Sequence, residues 1–295
     1  MLMIEDFLDY LRYERNRSEL TVRNYERSLK DFESYFKNRE SHLSWESVDS
    51  DLIRDWVESM MDKGDMASTV NNCLSAVRSF FRFALSRGLV VRDPAYTVRG
   101  PKVGKPLPYF VREADMDKLI DMPQMWTDSF ADTRARTIII MFYETGIRLA
   151  ELISLNDNDV DFGVRQIKVT GKRNKQRVVP FGDELEAVLK DYMRQRNEQL
   201  ERFEPALFLN DKGFRMSRSQ VEVLVKQQLS RVTTQKKRSP HVLRHTFATA
   251  MLNNGAGLES VRRLLGHESV TTTEIYTHTT FEQLKRVYEN AHPRA

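Results

Sequence analysis

The chain has 295 residues, 40% of them apolar, a formal net charge of +4 and one cysteine, Cys73. That length suits two domains, and the apolar share excludes a largely disordered chain. A single cysteine excludes an internal disulfide framework or a cysteine-rich zinc site; within an apolar helical pattern, Cys73 reads as a small buried hydrophobe.

The N-terminus, Met1-Leu-Met-Ile-Glu-Asp-Phe, carries early acids and no long apolar run, so no signal peptide is expected there. No stretch approaches the ~20 apolar residues of a membrane span. Residues 1–92 read as all helix. Val22, Tyr25, Leu29, Phe32 and Phe36 form one helical stripe, with Ser18 or Thr21 as its N-cap. Val70, Leu74, Val77, Phe81 and Leu85 form another, with Ser68 or Thr69 to open it and Gly88 to close it. Two more helices are expected near 3–14 and 49–63.

From Asp93 to Pro108 the chain is rich in proline and glycine, lacks apolar periodicity and carries Arg99, Lys102 and Lys105. It reads as a basic interdomain linker at 93–108, suited to a phosphate backbone if two domains close around DNA. The third region, 109–295, is mixed. Thr137–Glu144 reads as a buried helix. Gln166–Thr170 and Arg177–Pro180 alternate as strands about a polar turn at Gly171. Helices follow near 183–201, 217–230, 241–254, 258–265 and 281–290. The expected fold class is mainly α: an N-terminal helical bundle plus a mostly helical α+β domain with a small antiparallel sheet.

The chemistry-bearing motifs are Gly146-Ile-Arg148-Leu-Ala-Glu151, Thr170-Gly-Lys172, His241-Val-Leu-Arg244-His245, Leu265-Gly-His267 and Tyr276-Thr-His278. Arg148, Lys172, His241, Arg244, His267 and Tyr276 together form a kit for attacking a phosphodiester without a metal. The tyrosine oxygen is the nucleophile. Guanidiniums offer a planar donor fork matched to phosphate, and lysine and histidine move protons. Tyrosine is protonated at neutral pH, so it needs a base and a positive pocket. His241 and His245 are four apart, a zinc spacing, but Val242 stands where a metalloprotease helix has glutamate and no acidic third ligand is evident.

The order Arg…Lys…His-x-x-Arg…His…Tyr resembles the tyrosine recombinases, and within them the Xer subgroup. His241–Thr249 fits the family's second box, Leu264–His278 is similar to its end, and Ala291-His-Pro-Arg-Ala295 resembles the ending of Xer proteins. The resemblance runs over essentially the whole chain. It implies an N-terminal core-DNA-binding domain at 1–92, a catalytic domain at 109–295, and site-specific cutting and rejoining of duplex DNA through a 3′-phosphotyrosyl link on Tyr276. It implies that Arg148 and Arg244 clamp the scissile phosphate, His241 moves a proton and His267 hydrogen-bonds the phosphate. Glu151 would hold the local geometry. Lys172 would protonate the leaving 5′-oxygen, with Lys175 as its nearest competitor. The sequence matches again at Lys175-Gln-Arg177 but departs at Arg173, where many members have glycine.

The resemblance also implies paired DNA half-sites, a homo- or hetero-tetramer in which the tail helix at 281–290 docks on a neighbouring subunit, and an outside DNA translocase as activator. No cofactor, metal or membrane is expected, and the nucleoid is the expected place of work. Arg218 and Gln220 are candidates for guanine and adenine contacts. Chromosome dimer resolution leads; an integrase or invertase of a mobile element is the alternative. A catalytically idle DNA-binding protein would need a broken kit, and all six positions are filled. A metal nuclease would want clustered acids instead.

Overall fold

A computed structural model describes residues 2–40, 42–104, 109–171, 174–266 and 278–295, with the side chains of 2 and 278–282 excepted. The chain divides into two compact units, Met1–Pro106 and Leu107–Ala295.

The first unit contains α1 (Leu2–Asp9), which runs into a wide turn at Tyr10–Glu14, then α2 (Glu19–Arg39), α3 (Ser50–Asp62) and α4 (Ala67–Ser86). Ser18 caps α2 by accepting from the Thr21 amide. Helix α4 opens differently from expectation: Met66 is its extended N-cap residue, so Ser68 and Thr69 fall inside the first turn. Val22, Leu29, Phe32 and Phe36 face inward from α2, and Val70, Leu74, Val77, Phe80 and Phe81 from α4. Trp45 fills the space between them, 4.4 Å from Phe80 and 5.3 Å from Phe36.

Much of the expected linker packs on this bundle. Ala95 and Val98 are buried, the Asn71 amide donates to Pro101 O at 2.8 Å, and Ser50 donates to Pro94 O at 2.8 Å. Prolines break the helical period here, so two isolated apolar residues dock without a pattern that sequence could show. Arg99 and Lys102 are exposed; Lys105 lies outside the described residues.

The second unit is built around α6 (Phe130–Thr145), which is buried along most of its length. Ser129 caps it, accepting from the Asp132 amide at 3.2 Å. The helix begins seven residues earlier than the apolar run at Thr137 because its first half buries a charged residue, Arg134, which donates to Leu209 O at 3.0 Å. Helix α5 (Glu113–Asp121) precedes it, and α7 (Leu149–Ser154) follows. The sheet is an antiparallel meander of β1 (Val160–Asp161), β2 (Gln166–Thr170) and β3 (Gln176–Pro180), with Thr170 opposite Gln176. Helices α8 (Asp183–Gln199), α9 (Arg218–Ser230), α10 (Pro240–Asn253), α11 (Leu258–Leu265) and α12 (His278–Ala291) complete the unit.

Within this single chain α12 packs on its own unit. Leu284, Tyr288 and Ala291 join Phe247, Met251, Leu264 and Leu265 in one cluster. Burying such side chains stabilises by about 1.5–3 kcal/mol each. The Tyr288 hydroxyl donates to Glu144 at 3.3 Å, His292 Nε2 meets Tyr143 O at 3.1 Å, and Arg294 reaches Asp117, Asp121 and Glu184. Among the described residues no helix is long and apolar enough to cross a membrane.

Candidate active site

Arg148 stands at a break between two helices. Gly146 ends α6 in the left-handed region at φ 59°, and its amide donates to Phe142 O at 3.0 Å. Only glycine suits this place: a Cβ would also lie 2.4 Å from the Phe247 ring and 2.9 Å from Leu265. Ile147 is fully buried and pins the turn. Arg148 is then the extended N-cap of α7, and Glu151 closes the capping box by accepting from the Arg148 amide at 2.7 Å.

The Glu151 carboxylate is the hub. It accepts from Arg148 Nη1 at 2.8 Å, and from Arg177 Nη1 and Nη2 at 2.7 and 3.0 Å. Burial alone would push its pKa up, but the hydrogen bonds and charge of Arg177, then those of Arg148, outweigh it and hold Glu151 below its ordinary range.

Arg244 comes from the other side, on α10, three residues after His241. Pro240 occupies the first helical position, where its missing N–H costs nothing. Arg244 is buried and donates to Gly146 O and Leu265 O, both at 2.6 Å.

The three arginines meet at the C-terminal end of α11. Arg177 Nε donates to Leu264 O at 2.9 Å, Arg244 to Leu265 O at 2.6 Å, and Arg148 Nη2 to Gly266 O at 2.7 Å. Three successive carbonyls that the helix leaves without intrahelical donors are thus each taken by a guanidinium. The negative end of the helix dipole favours cations there. Gly266, left-handed at φ 63°, lies flat on Arg177: a Cβ would sit 3.1 Å from Arg177 Cδ and Nε.

Arg148 and Arg177 therefore share one carboxylate, and Arg244 stands beside them on carbonyls alone. Burial first, then repulsion from Arg148 and Arg177, pulls the Arg244 pKa down to about 9, and the side chain stays protonated at neutral pH. A cation held at such a cost is stabilised by an arriving anion. Arg148 and Arg244, fixed from adjacent carbonyls, still have N–H groups to offer a phosphate.

The chain matches known proteins over nearly its whole length. Residues 109–283 match the model of the phage integrase family, and residues 4–88 match the phage integrase N-terminal SAM-like domain. The chain is 34% identical to tyrosine recombinase XerD of Staphylococcus haemolyticus, covering 99% of both chains. It is 35% identical to tyrosine recombinase XerC of Pelotomaculum thermopropionicum, covering 99% of this chain and 98% of that one. This chain belongs to the phage integrase family, among its Xer tyrosine recombinases. The fold agrees with the solved structure of XerH site-specific recombinase bound to palindromic difH substrate, at a TM-score of 0.72 and 23% identity over 92% of this chain and 80% of that one.

Against the family's motif, the structure brings Arg148, Glu151 and Arg244 together. His241 is exposed at the start of α10. His245, one turn on, is pushed below the ordinary histidine range by partial desolvation and by the nearby His241 and Arg244. Lys172, His267 and Tyr276 lie outside the described residues, as does Arg173. Two of the three follow glycines whose places are known. Gly171 donates to Lys175 O at 2.7 Å, and Gly266 accepts from Arg148.

Arg218 and Gln220, the candidate base readers, have local partners. Arg218 pairs with Glu222 at 3.0 Å, and Gln220 accepts from the Ser217 amide at 2.8 Å in the capping box of α9. Sequence reasoning gave no role to Arg177, and the signal was present. In β3 it shares the buried face with Val179, where alternation calls for an apolar residue. A basic side chain at such a position needs a partner inside.

Proposed function

We propose that this chain is a site-specific DNA recombinase of Xer type that resolves chromosome dimers by cutting and rejoining duplex DNA through Tyr276. The observation that carries this reading is the set of three guanidiniums around one buried carboxylate, with Arg148 and Arg244 fixed on adjacent carbonyls. Such a site is preorganised for the charge that grows on a pentacoordinate phosphorus. Arg148 and Arg244 hold the non-bridging oxygens. His241 takes up the tyrosine proton, His267 hydrogen-bonds the phosphate and Lys172 protonates the leaving 5′-oxygen. The 3′-phosphotyrosyl bond keeps the energy of the phosphodiester, so rejoining requires no ATP. The chemistry is metal-independent and survives EDTA.

DNA phosphates are met by Arg99, Lys102 and Lys105, and base edges by Arg218 and Gln220 once their local partners are released. The working form is a tetramer on paired half-sites, with the tail helix exchanged between subunits and a DNA translocase as activator. It acts in the cytoplasm, at the nucleoid.

The test is covalent capture. The protein is incubated with sheared host DNA, denatured, and whatever remains attached is sequenced, with Tyr276→Phe as control. One chromosomal site near the replication terminus is the expected result. Junctions of a mobile element would instead make the chain an integrase or invertase. Equal recovery from the Phe variant would overturn the reading.

A further inference from the structure

We infer that Arg177 is a positioning residue that keeps Arg148 available to phosphate by occupying Glu151. The use of this depends on the recombinase reading; its test does not. Glu151 is 2% exposed and its carboxylate lies within 3.0 Å of two guanidiniums. Arg177 takes one hydrogen bond to each carboxylate oxygen, the bidentate geometry that fixes a carboxylate best. Arg148 reaches the same carboxylate through Nη1 alone and turns Nη2 to Gly266 O.

Without Arg177, one buried carboxylate and Arg148 would form a closed pair. A buried carboxylate demands full compensation, so Arg148 would turn its second nitrogen to Glu151 and leave the phosphate position. The described cluster would fall from two uncompensated positive charges to one. Arg177 also lies under Gly266, 3.1–3.2 Å from where a Cβ would be, and donates to Leu264 O. It therefore supports the left-handed turn at Gly266 that ends α11. All three guanidinium nitrogens of Arg177 are engaged, Nη1 and Nη2 with Glu151 and Nε with Leu264 O, so it acts through Glu151 and that turn.

The charge role separates from a mere packing role by rescue. Full-length protein is titrated with inorganic phosphate while the arginine Nε–H resonances of Arg148 and Arg244 are followed by NMR. Arg177→Met is expected to weaken phosphate about tenfold, since one nearby charge is lost. Arg177→Lys, which keeps the charge but loses the bidentate fork, is expected to recover part of that loss. So is the double variant Arg177→Met/Glu151→Gln, which removes the charge and its competitor together.

If Arg177→Met does not fold, Glu151→Gln alone carries the test: it is expected to tighten phosphate, whereas a carboxylate that only props the fold would weaken it on removal. The inference is overturned if neither resonance moves with wild-type phosphate. It is also overturned if Arg177→Met binds as wild type does, or if the lysine and double variants are as weak as Arg177→Met. Failure to form a covalent DNA adduct would strike the recombinase reading while leaving these phosphate results standing.

Discussion

Two charged sites in the second unit are built on opposite accounts. At the end of α11, three arginines gather around one carboxylate: Arg148 and Arg177 bond Glu151, and Arg244 is held by carbonyls alone. Near the chain end, one arginine, Arg294, meets three carboxylates, Asp117, Asp121 and Glu184, at 2.5–2.9 Å. Beside it lie two buried groups held neutral. Burial raises Glu144 to about 8 and lowers His292 to about 4. The first site has cationic charge to spare and is stabilised by an anion from outside. The second finds its partners within the chain and fastens a helix. Burial of charge thus marks both places, and the sign of the imbalance separates them: an excess of cations in the first, an excess of carboxylates in the second.

The largest test of this contrast concerns the nucleophile. Tyr276→Phe should abolish covalent attachment to DNA and leave binding nearly unchanged; any covalent product from it removes Tyr276 from the mechanism. Next, Arg148→Ala or Arg244→Ala should each slow single-turnover cleavage by about 100- to 1000-fold, or roughly 2.7–4 kcal/mol of transition-state stabilisation. A loss below about tenfold would mean that the excess charge at α11 does not act on the phosphate.

Arg294→Ala should behave differently. It is expected to lower the melting temperature by about 2–4 °C, the effect of about 1 kcal/mol in a unit of this size, and to leave phosphate affinity at the arginine cluster unchanged. A drop in that affinity would show that the two sites are coupled.

The smallest effect is one of pH. The folded-state pKa of Glu144 is raised, so its contribution to stability is full below about 4.5 and is lost as pH rises toward about 8. The pKa of His292 is depressed, so its contribution is full above about 6.5 and is lost as pH falls toward about 4. Glu144→Gln should therefore melt above wild type at pH 8.5 and show no advantage at pH 4.5. A constant difference at both pH values would mean that Glu144 is ionised within the fold.

Much of this was legible in the sequence, for identifiable reasons. The stripes of α2 and α4 are amphipathic, so their inward faces could be read directly. Arg148, His241 and Arg244 stood out because the family's motif fixes their spacing, and Pro240 marked a helix start by its chemistry. What escaped depends on contacts far apart in the chain. Arg177 meets a carboxylate 26 residues away and a carbonyl 87 residues away. No local window contains either partner. The stretch 93–101 looked like a free linker because Ala95 and Val98 dock singly, without a period. Helix α5 is short, and its inward face of Met116, Leu119 and Ile120 is too brief to signal itself.

The proposed recombinase requires that the arginine cluster present a DNA phosphate to Tyr276. The most direct measurement is to trap the protein on its captured DNA site, digest both components and identify the nucleotide-bearing residue by tandem mass spectrometry. A nucleotide attached through its 3′-phosphate to Tyr276 is expected, and it should be absent when Arg148 or Arg244 is replaced by alanine. Attachment to any other residue, or a Tyr276 adduct undiminished by loss of either arginine, would contradict it.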